Sequence, residues 1–382
     1  PVRHRVNLLL DGDHISGILT GDPEFKTDVQ VRDYSGKTIM PALICAHAHV
    51  GVLKGTKISA ENYTRENIIR QLKRYEQYGV SALLCMGTDR PLIFHGFRDS
   101  SQAGELPGAR LYSAGFGFAV PASPPGGSWT DYVFRPATED QAVAEVDSLA
   151  RLHPTVVKIW MDDFGGHASK MKPEIYKAII RQAHRYGIKV AAHLYYLEDA
   201  RNLVAAGLDI IAHSIRDKVV DDELLKEMKE RGVAYIPTLT RDESTFMYAD
   251  NPEWMHSRFF KASLEPGVEE MISSKAYQDG IKKSPEYLSN KRAVEIAMIN
   301  LKKIMEAGIL VAMGTDSGAD PARAQGFCEQ WELESMVNAG LTPLQAIEAA
   351  TKNAAIVLNI NDHYGTLEPG RYADFIVLSE NP

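Results

Sequence analysis

The sequence predicts an α/β fold, a (β/α)8 TIM barrel, and three features carry that reading. First, one phrase recurs along the chain: a helical pattern, a glycine, then a short run of β-forming residues. It reads EQYGVSALLCMGT around Gly79, HRYGIKVAAHLY around Gly187, VAAGLDIIAHS around Gly207, KERGVAYIPTLT around Gly232 and MEAGILVAMGTDS around Gly308. Second, the β runs are mostly apolar instead of alternating, as expected for parallel strands buried on both faces. Third, eight such runs can be counted, at 41–47, 80–86, 110–115, 155–160, 188–194, 208–214, 233–239 and 309–315. Eight is the strand count of this barrel. A doubly wound open sheet is the alternative, and the lack of a GxGxxG fingerprint after the first run weighs against it.

The chain begins differently. Residues 1–40 (VNLLLDGDHISGIL, then VQVRDYSGKTIM) read as short antiparallel strands with Gly and Asp turns, and so does GTLEPGRYADFIVLSE near the other end. Two β-rich ends flanking one barrel are expected to pair as a small sheet domain, 1–40 with 359–382, leaving 41–358 as the barrel. Within the barrel, a glycine just past a helix adopts the left-handed cap at no steric cost. Thr138-Glu139-Asp140-Gln141 and Thr342-Pro343-Leu344-Gln345 fit the capping-box pattern at helix starts, the second with Pro at the first helical position. The segment of about 241–303, between the seventh and eighth runs, is far longer than a usual βα loop. It is helix-rich and carries Phe246, Tyr248, Trp254, Phe259 and Phe260, which predicts a cover over the barrel mouth; a packing insertion is the alternative.

Composition limits the function classes. The 382 residues, 45% hydrophobic and 24% charged, suit a soluble globular protein with a large core. A formal charge of −8 argues against a nucleic-acid surface or an anionic membrane as partner. No apolar run approaches the roughly 18 residues of a membrane helix. The opening Pro-Val-Arg-His carries no signal-sequence pattern, so a cytoplasmic location is the expectation. Three cysteines, Cys45, Cys85 and Cys328, make no disulfide framework and read as free thiols, with Cys45 and Cys85 in apolar segments. The remaining partner is a small-molecule substrate, with a homo-oligomer left open.

The chemistry lies at the ends of the β runs. His47-Ala48-His49 closes the first, and period-two side chains share one strand face. An H-x-H pair alone is weak. It gains weight because Lys158 lies in the fourth run, His193 ends the fifth, His213 ends the sixth and Asp316 ends the eighth. Residues at the C-terminal ends of barrel strands converge on one mouth. Imidazoles with a carboxylate suit zinc, with iron, manganese or cobalt as alternatives. Four histidines, an aspartate and a lysine exceed what one four-coordinate ion needs, so two divalent ions are expected.

PALICAHAH resembles the first-strand motif of the amidohydrolase superfamily. VVKIW, AAHLYY, IIAHS and MGTDSG match its later strand ends in order, and TPLQAIEAATKNAAIVL with GTLEPGRYADFIVL resembles its C-terminal return. The resemblance runs along nearly the whole chain and points to the peptidase and imidazolonepropionase-like branch. It implies a β-sandwich built from both termini, incomplete here because the opening and last strands are short or missing. It further implies one metal on His47, His49 and Asp316, a second on His193 and His213, and Lys158 bridging both as a CO2-derived carbamate. The implied activity is hydrolysis of an amide (C–N) bond in a dipeptide, N-acyl amino acid or cyclic amide by a metal-bridging hydroxide, with Asp316 as proton shuttle. A lactonase or phosphotriesterase-like ester hydrolase and a one-metal deaminase on the same barrel are the alternatives. For the substrate, Tyr195 and Tyr196 are candidate oxyanion donors, Arg216 and Arg241 candidate carboxylate partners, and His167 a candidate on the loop after the fourth run.

Overall fold

In the computed structural model, which describes residues 2–21 and 29–382, two parallel sheets carry the core. The first joins β4 (Leu43–Ala48), β7 (Val80–Cys85) and β8 (Arg110–Ser113), and the second joins β9 (Val156–Met161), β10 (Lys189–Leu194), β11 (Ile210–Ala212) and β12 (Ala234–Ile236). Nearly every residue of these strands is buried, which explains their apolar runs. Backbone hydrogen bonds link the sheets at both edges. Thr155 N donates to Ser113 O at 2.8 Å, and Phe118 and Lys158 pair across the gap between β8 and β9. On the other side, Tyr235 N donates to Leu310 O and Ala46 N to Met313 O, both at 2.8 Å. Each of the eight expected segments thus has a hydrogen-bonded neighbour on both sides.

The eighth segment departs from expectation. It forms only isolated bridges, Tyr235 with Val311 and Ala48 with Ser317. The reason is local: a Cβ at Gly314 would lie 2.6 Å from Ile236 and 2.9 Å from the His47 nitrogen. The chain is pressed against β4 there, and the N–H groups of Thr315 and Asp316 both donate to His47 O. A regular ladder cannot accommodate two successive donors on one carbonyl.

Helices alternate with the strands. They are α1 (Arg65–Gln77), α2 (Phe97–Gln102), α3 (Glu139–Ala150), α4 (Pro173–Arg185), α5 (Leu197–Ala205) and α6 (Asp222–Arg231). Thr138 accepts from Gln141 N at 3.2 Å, but the Gln141 side chain reaches Ala137 N, so the reciprocal half of that box is shifted by one residue. The Thr342 box is complete and opens α13 (Pro343–Glu348), which continues through a wider turn into α14 (Ala354–Leu358). The repeated glycines take positive φ, from 67° at Gly232 to 98° at Gly207. At the end of α6 the Gly232 N–H bonds back to Lys229 O, the capping role expected of it.

Between β12 and the eighth segment lie α7 (Leu239–Glu243), α8 (Arg258–Ser263), α9 (Val268–Ser273), α10 (Lys275–Lys283) and α11 (Tyr287–Glu306). Arg241, Asp242, Thr245, Asn290 and Ala293 of this segment line a small cavity, while most of its aromatic residues pack elsewhere. Trp254 and Phe260 pack on Phe327 of α12 (Phe327–Asn338), Trp254 also on Trp331, with Trp254–Phe327 centroids 5.3 Å apart; Tyr248 lies against Trp254 and Phe260, and Phe259 meets Tyr78 at a tilt, 4.8 Å away. Phe327 and Trp331, four apart on one helical face, offer an apolar stripe that composition alone does not reveal. Residues Ala297, Leu301 and Ile304 of α11 join the main core.

The two ends meet. β1 (Val6–Asp11) and β2 (His14–Thr20) form a hairpin, β3 (Thr38–Pro41) pairs antiparallel with β13 (Phe375–Leu378), and β5 (Leu53–Lys54) and β6 (Lys57–Ile58) make a two-residue ladder. Ile15 N donates to Arg371 O and Gly370 N to Ile15 O, both at 2.8 Å. Of the expected strands in 29–40, only 38–41 has a partner, and Val29 and Val31 are exposed. Positions 22–28 of that segment lie outside the described residues. All three cysteines are buried and free. No helix of the described residues is long and apolar enough to cross a membrane.

Candidate metal centre

The strand ends bring His47, His49, Lys158, His193, His213 and Asp316 around one cavity of about 170 Å³. Asp316 Oδ1 lies 3.2 Å from His47 Nε2 and 2.9 Å from His49 Nε2. The rings of His47 and His213 are 4.6 Å apart and those of His193 and His213 4.4 Å. One ligand-type atom from each of His47, His213 and Asp316 falls within 4.8 Å of the other two. Two of these side chains sit on backbone with positive φ, His213 at 85° and Asp316 at 58°, a conformation that costs roughly 1–3 kcal/mol for a non-glycine residue. Such strain persists where the surroundings over-determine it.

Each of three histidines is held at its other ring nitrogen. His49 Nδ1 meets Thr88 Oγ1 at 3.2 Å, His193 Nε2 meets Asp162 Oδ2 at 2.9 Å, and His213 Nδ1 meets Thr238 Oγ1 at 2.8 Å. Such outer partners fix tautomer and ring orientation. Thr88, Asp162 and Thr238 do not emerge from sequence reasoning, although Asp162 directly follows a buried strand and Thr238 lies just beyond one. Arg323, which donates to the Asp316 carboxylate, gives no sequence signal at all.

Burial, and next the charge of Lys158, push His47 well below the usual imidazole range. Burial and the neighbouring His193 do the same to His213, and burial brings His193 down to about 4. These imidazoles are therefore neutral, with lone pairs to offer. Burial opposes ionisation of Asp316, yet Arg323, His47 and His49 outweigh it and hold the carboxyl well below its ordinary value. Burial lowers Lys158 to about 7, and its Nζ has no hydrogen-bond partner among the described residues.

The substrate-side candidates divide. Tyr195, Arg216 and Arg241 line a smaller cavity of about 70 Å³ next to the first. Arg216 lies under the Tyr195 ring at 4.5 Å and pairs with Asp242 at 3.2 Å. Arg241 lines the smaller cavity, bonded to Asp242 at 2.6 Å with its Nε 3.5 Å from Asp316 Oδ2, a residue of the larger one. Tyr196 is directed elsewhere, donating to Asp163 at 2.8 Å beneath Lys170. His167 is exposed and lines neither cavity. Met86, Pro125, Trp129 and Trp160 form an apolar wall of the larger cavity.

The amidohydrolase family model matches residues 38–382. The chain belongs to the amidohydrolase family. It is similar to the ochratoxinase of Aspergillus niger, 30% identical over 216 residues, which are 56% of this chain and only 37% of that protein's length. It is also similar to a 5-methylthioadenosine/S-adenosylhomocysteine deaminase of Syntrophomonas wolfei, 29% identical over 196 residues, 48% of this chain and 41% of that one. Among solved structures, a Xaa-Pro dipeptidase with methionine in its active site superposes with a TM-score of 0.76 at 22% identity, over 99% of this chain and 89% of that one. At that identity the likeness speaks for the fold.

Amidohydrolases typically use divalent metals, and the residues here fit such ions. Neutral imidazoles, an ionised carboxylate and a buried amine with no hydrogen-bond partner among the described residues face one cavity, and this donor chemistry suits a borderline cation.

Proposed function

We propose that this amidohydrolase cleaves the amide (C–N) bond of a small molecule, a dipeptide or N-acyl amino acid being the best fit. The observation that carries this is the convergence of six ligand-type side chains on one cavity that is also lined by Trp129, Trp160 and Arg323, with Arg241 close by, 3.5 Å from Asp316. Trp129 and Trp160 suit an apolar acyl group, and Arg241 and Arg323 suit a carboxylate. The dipeptidase whose fold this chain shares favours the same class. We read the ring of eight hydrogen-bonded segments as a complete (β/α)8 barrel, with 1–40 and 359–382 as its small β domain.

His47, His49 and Asp316 would hold one divalent ion and His193 and His213 another, with Lys158 between them as an N-carboxylated lysine. Two such ions, zinc being the one this donor set suits best, would supply Lewis acidity and lower the pKa of water when bound. The chain's own residues do the rest. Asp316 Oδ2, turned away from the two imidazoles, takes the proton of the attacking water and returns it to the leaving nitrogen. A substrate carboxylate competing for Arg323 and Arg241 frees that oxygen for the transfer. The tryptophans exclude bulk water beside the scissile bond. A one-metal deaminase is the second reading, favoured by the deaminase relative. It leaves Lys158, buried and without a hydrogen-bond partner among the described residues, without a role.

The test is elemental analysis together with a panel of dipeptides, N-acyl amino acids, cyclic amides, lactones and phosphotriesters on metal-loaded protein. Two ions per active chain and turnover of the amides are expected. Full activity with one ion, or turnover of the esters alone, overturns the reading. A second measurement addresses the carboxylate. Charged hydrogen bonds contribute roughly 1.5–3 kcal/mol, or about 10- to 150-fold. Arg241→Met is therefore expected to raise KM for an N-acyl amino acid about tenfold or more while leaving KM for its carboxamide nearly unchanged; equal shifts for both would remove Arg241 from substrate binding.

A further inference from the structure

Helix α12 carries two fully buried carboxylates, Glu329 and Glu332, three residues apart on one face. Neither lines the cavity, yet each grips a turn that leads into it. Glu329 Oε1 accepts from Thr315 Oγ1 at 2.5 Å and from Ser317 Oγ at 2.7 Å, the residues immediately before and after Asp316. Its other oxygen accepts from Gly326 N at 2.7 Å. Since the Ser317 hydroxyl donates to Glu329, the Tyr75 hydroxyl 2.7 Å away donates to Ser317. Asp316 is thereby clamped on both sides while it occupies left-handed backbone at φ 58°.

Glu332 does the same one strand earlier. Its carboxylate accepts from Leu239 N at 2.8 Å, Thr240 N at 2.7 Å and Thr240 Oγ1 at 2.6 Å. The residue before Leu239 is Thr238, at φ 49°, whose hydroxyl meets His213 Nδ1 at 2.8 Å. The same short helix carries Arg241, and it is tied to α12 again where Glu243 accepts from Trp331 Nε1 at 2.6 Å and Ser335 Oγ at 2.7 Å. Two fully buried carboxyl groups, met by five donors from these turns, by Gly326 N and by the Cys45 thiol at 3.5 Å, are a costly way merely to pack a helix, because an apolar pair fills the space without burying polar atoms.

We infer that the buried face of α12 is a positioning device for the cavity, with Glu329 setting Asp316 and Glu332 setting Thr238 and through it His213. This rests on the metal-centre reading above. Outer partners of metal ligands typically change affinity or activity 10- to 100-fold when altered. Glu329→Gln and Glu332→Gln keep side-chain size but replace an accepting oxygen with a donor.

The experiment loads wild-type protein, both variants and Asp316→Asn with cobalt(II), then compares the visible ligand-field spectrum and the chelator concentration that strips half the metal. Both glutamine variants are expected to keep the wild-type circular dichroism, change the cobalt spectrum and lose affinity about 10- to 100-fold. If the spectrum and chelator midpoint stay at wild type in both, or only the melting temperature moves, the inference is overturned. Asp316→Asn separates the two levels. A changed spectrum there with silent glutamine variants defeats the positioning role alone, and no change there defeats the metal centre itself. Should a glutamine variant not fold, Ser317→Ala and Thr240→Val remove single donors to the same carboxylates, and the same spectrum decides.

Discussion

Lys158→Ala is expected to abolish turnover, and acetate or propionate to restore part of it. Lys158 is 1% exposed in β9, beside the Trp160 ring at 5.7 Å, with no carboxylate bonded to its Nζ among the described residues. A buried ammonium without a partner is costly, so an ion-pair role does not account for it. Burial brings the group to about 7, which leaves a substantial neutral fraction at physiological pH. A neutral amine adds to CO2 and loses one proton, giving a carbamate whose two oxygens turn an unpaired base into an anionic ligand. Deleting a ligand should cost more than disturbing an outer partner, so kcat is expected to fall by at least about 10²-fold. A short-chain acid fits the space that the butylamine leaves and replaces the missing carboxylate. Growth of the metal-loaded protein with ¹³C-bicarbonate supplies an independent readout, a carbamate resonance present in wild type and absent from the variant. Full activity of Lys158→Ala, or no labelled carbamate in the active enzyme, would end the assignment.

What the sequence discloses and what it hides follow from how side chains are placed. The strand-end residues are legible because a buried apolar run with a histidine or aspartate at its end is unusual, and the five in order raise one another's weight. All of them, with Lys158, line the cavity. The glycines are legible because a left-handed cap favours that residue, and all five take it. The holding groups are hidden for the opposite reason. Thr88, Thr238, Glu329 and Glu332 are ordinary residue types whose partners lie far off in the chain, 93 positions for Glu332 with Leu239 and 284 for Glu329 with Cys45. How the aromatic insertion packs is hidden because composition reports that a surface is sticky and not which surface it meets; Trp254 and Phe260 meet Phe327 of α12. The eighth strand is legible as an apolar run but loses its ladder to the close approach at Gly314.

Asp316→Asn should give the largest loss of rate with the smallest loss of metal. The side chain keeps its shape and one carbonyl oxygen, so it remains a donor to a cation. It loses the basic oxygen. Oδ1 faces His47 and His49 while Oδ2 faces Arg323 and Arg241, so the two oxygens already have separate surroundings, one toward the ligand cluster and one toward the substrate side. Arg323 and the two imidazoles keep the group ionised, which is the state a proton acceptor must start from. A positioned acid/base typically contributes about 10²–10⁴-fold, and kcat is expected to fall by that much. The comparison with metal content separates this role from ligation, since a pure ligand loses both together. Measured at pH 7 on variant protein shown to hold its full complement of metal, a kcat near the wild-type value would assign proton transfer to another group, and the carboxylates nearest the cavity, Asp162 first, become the next to test.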